Sequence, residues 1–255
     1  MSKMTKVIVE VRNLTKIYGD RAVVDGINFS VNEKEIFGIL GPNGAGKTTT
    51  LEMIEAMRPI DKGSIMLDEI DVAKHPRDVK SIIGVQPQSP SFSDRVTLIE
   101  LLELFGALYG VKVHPHALLK DVQLGEKDKS YFENLSGGQK QRFSIAAALV
   151  HNPKVLFLDE PTTGLDPQAR RNLWELVESI REKGITVIMT THYMEEAQLL
   201  CDRVAIMDKG KIIALDTPSS LVSQLLKKGF KKKRVVEEAD LEDVFIDLTG
   251  KALRD

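Results

Sequence analysis

Gly41-Pro42-Asn43-Gly44-Ala45-Gly46-Lys47-Thr48 fits the phosphate-binding pattern G-x-x-x-x-G-K-[ST]. Glycines at this spacing let successive backbone N–H groups turn inward on phosphate oxygens, and a following helix adds its N-terminal dipole. Lys47 is placed to reach β- and γ-phosphates and Thr48 to bind Mg²⁺, so the chemistry on offer is nucleotide binding. Two other stretches end in groups suited to act on such a ligand. Lys154-Val155-Leu156-Phe157-Leu158 reads as a buried strand and closes on Asp159-Glu160. Adjacent carboxylates there suit metal-and-water chemistry, because open α/β sheets bind ligands at the carboxyl ends of their strands. Ile185 to Thr191 is a second apolar run and ends at His192, which reads as a γ-phosphate contact. Leu135-Ser136-Gly137-Gly138-Gln139 precedes a helix, where free N–H groups and a serine hydroxyl make either a second anion site or a plain N-cap.

The surrounding pattern supplies elements to hold these groups. Glu35 to Leu40 reads as a short buried strand before the glycine loop, and Thr49 to Met57 as the helix after it. The first forty residues read as an antiparallel β-layer. Its strands are Val7 to Val11, Leu14 to Tyr18, Ala22 to Val24 and Ile27 to Val31, with turn signals at Gly19-Asp20 and Asp25-Gly26. Ser64 to Leu67 and Ile82 to Val85 add strands, the second leading into Gln86-Pro87-Gln88. From about 87 to 135 the chain reads as a helical insert, with Leu98, Leu101, Leu102, Phe105, Leu108 and Tyr109 on one helix face. Within it Lys112 to Lys120 reads as a polar loop, whose His114 and His116 have no cysteine or carboxylate cluster beside them to make a metal site. Helices are expected over Lys140 to Val150, Gln168 to Lys183, Tyr193 to Cys201 and Pro218 to Leu226, and a hairpin around Lys209-Gly210. The fold class is therefore α/β: a phosphate-loop core on a mainly parallel sheet, preceded by the β-layer and interrupted by the insert. One domain spans residues 1–226, and 227–255 reads as a charged linker with a short helical tail.

Bulk properties narrow the field. With 255 residues and 42% apolar side chains the chain can bury a substantial core. A net charge of −2 gives no overall basic field, so no nucleic-acid partner is expected. The single cysteine, Cys201, suits a reducing compartment. The N-terminus lacks an apolar signal core, and the stretch Leu98 to Val111 is interrupted by Glu100 and Glu103. It also falls short of the ~20 residues needed to cross a bilayer. The basic run Lys227 to Arg234 reads as a solvated linker or as a patch facing an anionic membrane surface.

Taken in order, Tyr18, the loop at 41–48, Gln86, Leu135 to Gln139, Val155 to Glu160, Leu165-Asp166 and His192 resemble the ATP-binding cassette family over about residues 7–220. The Leu-Ser-Gly-Gly-Gln stretch is that family's signature. The resemblance implies ATP and Mg²⁺ as cofactors, with Tyr18 stacked on adenine. Gly41, Asn43, Gly44, Ala45, Gly46, Lys47 and Thr49 would surround the phosphates, and Thr48, Gln86 and Asp159 would hold Mg²⁺. Glu160 would orient or deprotonate the attacking water, His192 would contact the γ-phosphate, and Gln86 would join them as a catalytic residue. Ser136, Gly137, Gly138 and Gln139 would close over ATP held by a second cassette, making an ATP-dependent homodimer. The insert would meet a separate transmembrane permease subunit, with Gln86 coupling the two, which places the chain peripherally on the cytoplasmic face of the cell membrane. The stretch Leu241 to Gly250 resembles the end of drug-resistance and polysaccharide-export cassettes and favours export. The alternative is a non-transport cassette ATPase acting on nucleic acid or ribosomes. Relatives of that kind carry long coiled coils or two cassettes per chain.

Overall fold

The computed structural model describes residues 6–230. Its strands are β1 (Val7–Tyr18), β2 (Arg21–Asn32), β3 (Ile36–Leu40), β4 (Lys62–Leu67), β5 (Ile70–Asp71), β6 (Ile83–Gln86), β7 (Val155–Asp159), β8 (Thr186–Thr191), β9 (Arg203–Asp208) and β10 (Lys211–Asp216). The helices are α1 (Lys47–Ile54), α2 (Pro76–Ile82), α3 (Leu98–Tyr109), α4 (Pro115–Asp121), α5 (Gly137–Ala148), α6 (Pro167–Glu182), α7 (Met194–Leu200) and α8 (Pro218–Lys227). The chain divides into two compact units, Met1–Leu221 and Val222–Asp255, and both sheets belong to the first. The stretch Leu241 to Gly250, and the basic run beyond Phe230, lie outside the described residues. Among the described residues no helix is long and apolar enough to cross a membrane.

The central sheet runs β10-β9-β3-β8-β7-β6, parallel throughout except for the β9–β10 hairpin. Its inner strands are apolar on both faces because both faces are covered. Alternate residues go to opposite cores. Phe37, Phe157 and Ile188 face a core shared with α1 and the antiparallel sheet, while Ile36, Leu156, Val187 and Met189 face one built with α3, α5 and α6. Phe37 and Phe157 both pair in register with Ile188, which makes a continuous apolar row across three strands. Truncating one of these buried rings to Ala would cost about 3–5 kcal/mol.

The parallel register also sets where chemistry can occur. Leu40 pairs with Thr191, Asp159 with Thr190 and Gln86 with Leu158, so the segments leaving β3, β6, β7 and β8 emerge along one edge. Position along the sheet, not proximity in sequence, gathers residues from 41, 88, 159 and 192.

The antiparallel sheet has the order β2-β1-β4-β5 and lies in the N-terminal half, as the sequence pattern indicates. The four short strands expected before Asn32 are instead two long ones. The Asp25-Gly26 signal is a bulge, with Gly26 at φ +62° and its N–H donating to the Thr15 hydroxyl at 3.1 Å. Asn13, at φ +48°, absorbs the matching irregularity in β1.

The insert also differs in one segment. Part of the expected loop Lys112 to Lys120 forms α4, with Pro115 at its first position, where the missing N–H leaves no bond unmade. In the same insert α3 starts at a capping box. Thr97 Oγ1 accepts from Glu100 N–H at 3.3 Å, and the Glu100 carboxylate accepts from Thr97 N–H at 2.8 Å.

Candidate active site

The glycine loop connects β3 to α1 and follows a path that side chains would block. A Cβ on Gly41 would lie 2.2 Å from the Met207 carbonyl oxygen, and one on Gly46, at φ +105°, would lie 2.6 Å from that of Val23. The loop is thus clamped between β9 and β2, with its backbone turned toward a cavity of about 300 Å³. Asn43, Gly44, Gly46, Lys47, Thr48 and Thr49 line that cavity, joined by Gln88 and Glu160.

Lys47 is 4% exposed and points into this concentration of oxygen atoms. Its ammonium donates to the carbonyls of Gly41 (2.9 Å) and Pro42 (3.2 Å) and pairs with Glu160 Oε1 at 3.0 Å. All three of its N–H bonds therefore have protein acceptors, so an incoming anion would exchange partners with it instead of neutralising a bare charge. Thr48 Oγ1 donates to Asp159 Oδ1 at 3.2 Å, and the Thr190 hydroxyl donates to the same oxygen. Burial pushes the Asp159 carboxyl up and Glu160 repels it, while hydrogen bonds from Thr190 and Thr48 and the charge of Lys47 act the other way; the net direction is up. A hydroxyl and a hard carboxylate at this spacing are donors that suit Mg²⁺.

Glu160 follows β7 in a left-handed conformation, φ +46°, anchored by its N–H donating to the Thr190 hydroxyl at 3.0 Å. That conformation is costly for a side-chain-bearing residue and is held by its surroundings. The carboxylate is shared by four groups. Oε1 takes Lys47, while Oε2 lies 3.1 Å from His192 Nδ1, 3.3 Å from Thr163 Oγ1 and 3.5 Å from Gln88 Nε2. Burial alone would raise its pKa, but the hydrogen bond and charge of Lys47, the charge of His192 and the Thr163 hydrogen bond outweigh it and hold the carboxyl below its ordinary value. It is an ionised base at neutral pH, aligned by the loops after β3 and β8.

Several expected participants lie elsewhere. Gln86 is the last residue of β6 and is fully buried, its Nε2 donating to Gln141 Oε1 at 2.6 Å and to the Pro87 carbonyl at 2.7 Å. It does not line the cavity, and it is Gln88 that does. The expectation that Gln86 holds metal or takes part in catalysis is corrected on that ground: a side chain at the end of the strand turns inward, and only beyond Pro87 does the chain leave the sheet. Tyr18 stands at the end of β1, 42% exposed, its hydroxyl bonded to Arg58, which in turn pairs with Glu52 at 2.6 Å. The same hairpin sends Val23 into the cavity lining, but not Tyr18.

Ser136 is the N-cap of α5 in a second capping box. Its Oγ accepts from Gln139 N–H at 3.4 Å, and Gln139 Oε1 accepts from Ser136 N–H at 3.0 Å. Gly137 and Gly138 follow, nearest to Leu165 and Ala169, and none of the four lines the chain's own phosphate-loop cavity. The site thus joins residues 43–49, Gln88, Asp159, Glu160 and His192 and leaves the 136–139 stretch apart. Thr190, whose hydroxyl donates to the Asp159 carboxylate and accepts from the Glu160 N–H, carries no signal beyond its place in an apolar strand.

A family profile described as ABC transporter matches residues 24–163. The linearmycin resistance ATP-binding protein LnrL of Bacillus subtilis (strain 168) is 42% identical over 223 residues, 86% of this chain and 72% of that protein. Nod factor export ATP-binding protein I of Burkholderia lata is 43% identical over 219 residues, 84% of this chain and 72% of that protein. Among solved structures, an ATP-binding subunit of an ABC transporter aligns with a TM-score of 0.77 at 27% identity, covering 95% of this chain and 99% of that one.

Proposed function

The chain belongs to the ABC transporter family and is an ATP-hydrolysing subunit of a transporter, and from that premise we propose that two copies trap two ATP molecules between them to drive export through a separate membrane subunit. The observation that carries the two-copy reading is the separation within one chain: Lys47 and Glu160 line one cavity, with His192 bonded to the Glu160 carboxylate, while Ser136 to Gln139 line none of it. Their partner is then the cavity of a second copy, which receives them over the γ-phosphate. Tyr18 stacks on adenine once its exposed ring is freed from Arg58.

Lys47, Thr49 and the loop N–H groups bind the phosphates, Lys47 moving from Glu160 to the γ-phosphate as ATP enters. Thr48, Asp159 and Gln88 would hold Mg²⁺, which would neutralise phosphate charge when bound. Glu160, released from Lys47, orients the attacking water and accepts its proton at Oε2 or Oε1. His192, from the loop after β8, fixes that carboxylate and meets the γ-phosphate. The insert of about 87–135 faces the membrane subunit, and Gln88, on the segment that enters it, links nucleotide to partner. The relatives named for linearmycin resistance and Nod factor export support export as the direction. A peripheral place on the cytoplasmic face of the membrane and a charged tail over 227–255 complete the reading. Replacing Glu160 by Gln tests it, with slow hydrolysis and ATP-dependent dimers expected together.

A further inference from the structure

Glu196 is an acid that the chemistry above leaves unused, and it is fully buried. It sits in the first turn of α7, shortly after His192. Its Oε1 accepts from Trp174 Nε1 of α6 at 3.1 Å. The hydroxyls of Thr191 and Thr162 and the guanidinium of Arg170 lie near the same carboxylate. These groups belong to the end of β8, the loop after Glu160, and α6, so one side chain meets three neighbouring segments.

An acid without water is costly unless its oxygens are bonded. Here that cost is only partly offset. Oε2, Thr162 Oγ1 and Arg170 Nε are all buried and receive no hydrogen bond of good geometry among the described residues. Burial drives the Glu196 carboxyl up, and the nearby hydroxyls, the Trp174 N–H and the charge of Arg170 oppose the rise without cancelling it. A leucine would fill the same interior without this cost, so packing does not account for an acid. The loops it meets do. The loop from β8 to α7 is only His192 and Tyr193. The Tyr193 ring lies under the Arg170 guanidinium at 4.5 Å and against the His192 ring at 4.1 Å, and its N–H donates to Thr191 Oγ1 at 3.0 Å. The loop after Glu160 carries Thr162 and then Thr163, whose hydroxyl reaches Glu160 Oε2 at 3.3 Å.

We propose that Glu196 is a positioning residue for hydrolysis: through Trp174, Thr162 and Thr191 it holds the His192 loop in register with the loop after Glu160. The 3.1 Å contact of His192 with the Glu160 carboxylate is what that register preserves. Glu196 does not line the phosphate-loop cavity, so its loss should slow chemistry and spare ATP binding. The assignment rests on the reading of Glu160 and His192 as the hydrolytic pair and adds to it the residue that aligns them.

The test is steady-state release of labelled phosphate by the full chain, at a temperature where circular dichroism shows each variant folded. Glu196→Leu should lower kcat at least tenfold and leave KM for ATP within about twofold. Glu196→Gln keeps the acceptor for Trp174 and puts an N–H where Oε2 stands, so its kcat should stay within about twofold of wild type. Trp174→Phe deletes the single N–H, should fall between these two, and carries the comparison if the leucine variant does not fold. In a His192→Ala background, whose own kcat should be at least tenfold down, adding Glu196→Leu should cost no more than about twofold, because the residue acts through His192. A full tenfold further loss in that background, a glutamine variant as slow as the leucine one, or wild-type kcat in Glu196→Leu overturns the proposal and leaves the hydrolytic pair standing. Wild-type turnover by His192→Ala alone sinks the reading of that pair, and the proposal with it.

Discussion

Glu55→Gln in the isolated, nucleotide-free chain should raise stability, and by an amount that depends on pH. The Glu55 carboxyl shifts from 4.5 to about 8, so between those values the folded chain keeps a proton that the unfolded chain has lost. Stability contributed by this group is therefore undiminished below about pH 4.5 and falls as pH rises toward 8. At about 1.4 kcal/mol per pKa unit the penalty is about 1 kcal/mol at pH 5, about 3 at pH 7 and about 4 at pH 8. Glutamine keeps the shape without the charge and escapes the penalty. For a chain of this size 1 kcal/mol corresponds to ~2–4 °C in Tm, so the variant's advantage should grow from about 3 °C at pH 5 to above 10 °C at pH 8. Thermal unfolding of both proteins by circular dichroism across that range reads this directly. An advantage independent of pH, or a variant less stable than wild type at pH 8, refutes the reasoning.

Three further outcomes follow from the site. Gln88→Ala should lower ATP turnover at least tenfold with little change in Tm, whereas Gln86→Ala should cost about 1–3 kcal/mol by leaving Gln141 unpaired in the interior. Turnover assays and melting curves on the pair separate the two glutamines, and the reverse pattern would reinstate Gln86. Ser136→Arg should leave ATP binding by the single chain within about twofold while abolishing ATP-dependent dimers, a cap loss of ~1 kcal/mol being too small to unfold α5. Dimers of normal abundance on a sizing column would show that the 136–139 stretch does not cross to a second copy. Thr97→Ala should destabilise the insert by about 0.5–2 kcal/mol through loss of the α3 capping box, seen as faster amide exchange in Leu98 to Leu102.

Most of the architecture is legible in the amino-acid order because its signals are local and redundant. Strand β7 is a five-residue apolar run with a charged end, and Glu160 stands at that end for the same reason that Phe157 is buried. Where the reading departs, the deciding contacts are non-local. Asp25-Gly26 looks like a turn because both residue types favour one, yet pairing to β1 carries the strand through it as a bulge. Helices α2 and α4 are seven residues each and too short to show a period. Gln86 and Gln88 differ in sequence only by which side of Pro87 they occupy. What separates them is non-local: the Gln86 side chain is buried and donates to Gln141, 55 residues away in sequence. Nothing in the chain's order marks Glu55 as a buried acid: it follows the last residue of α1, and its burial is a matter of tertiary packing.

On the proposed function Glu160 is the base of a site completed by a second copy. The decisive measurement is analytical ultracentrifugation of Glu160→Gln with ATP, alongside its steady-state turnover. Losing the general base should slow hydrolysis by about 10²–10⁴, and freeing Lys47 from its ion pair at 3.0 Å should favour ATP. Expected is a dimer that forms only with ATP, holds two nucleotides and scarcely turns them over. A variant that hydrolyses ATP at the wild-type rate, or stays monomeric at saturating ATP, would contradict it.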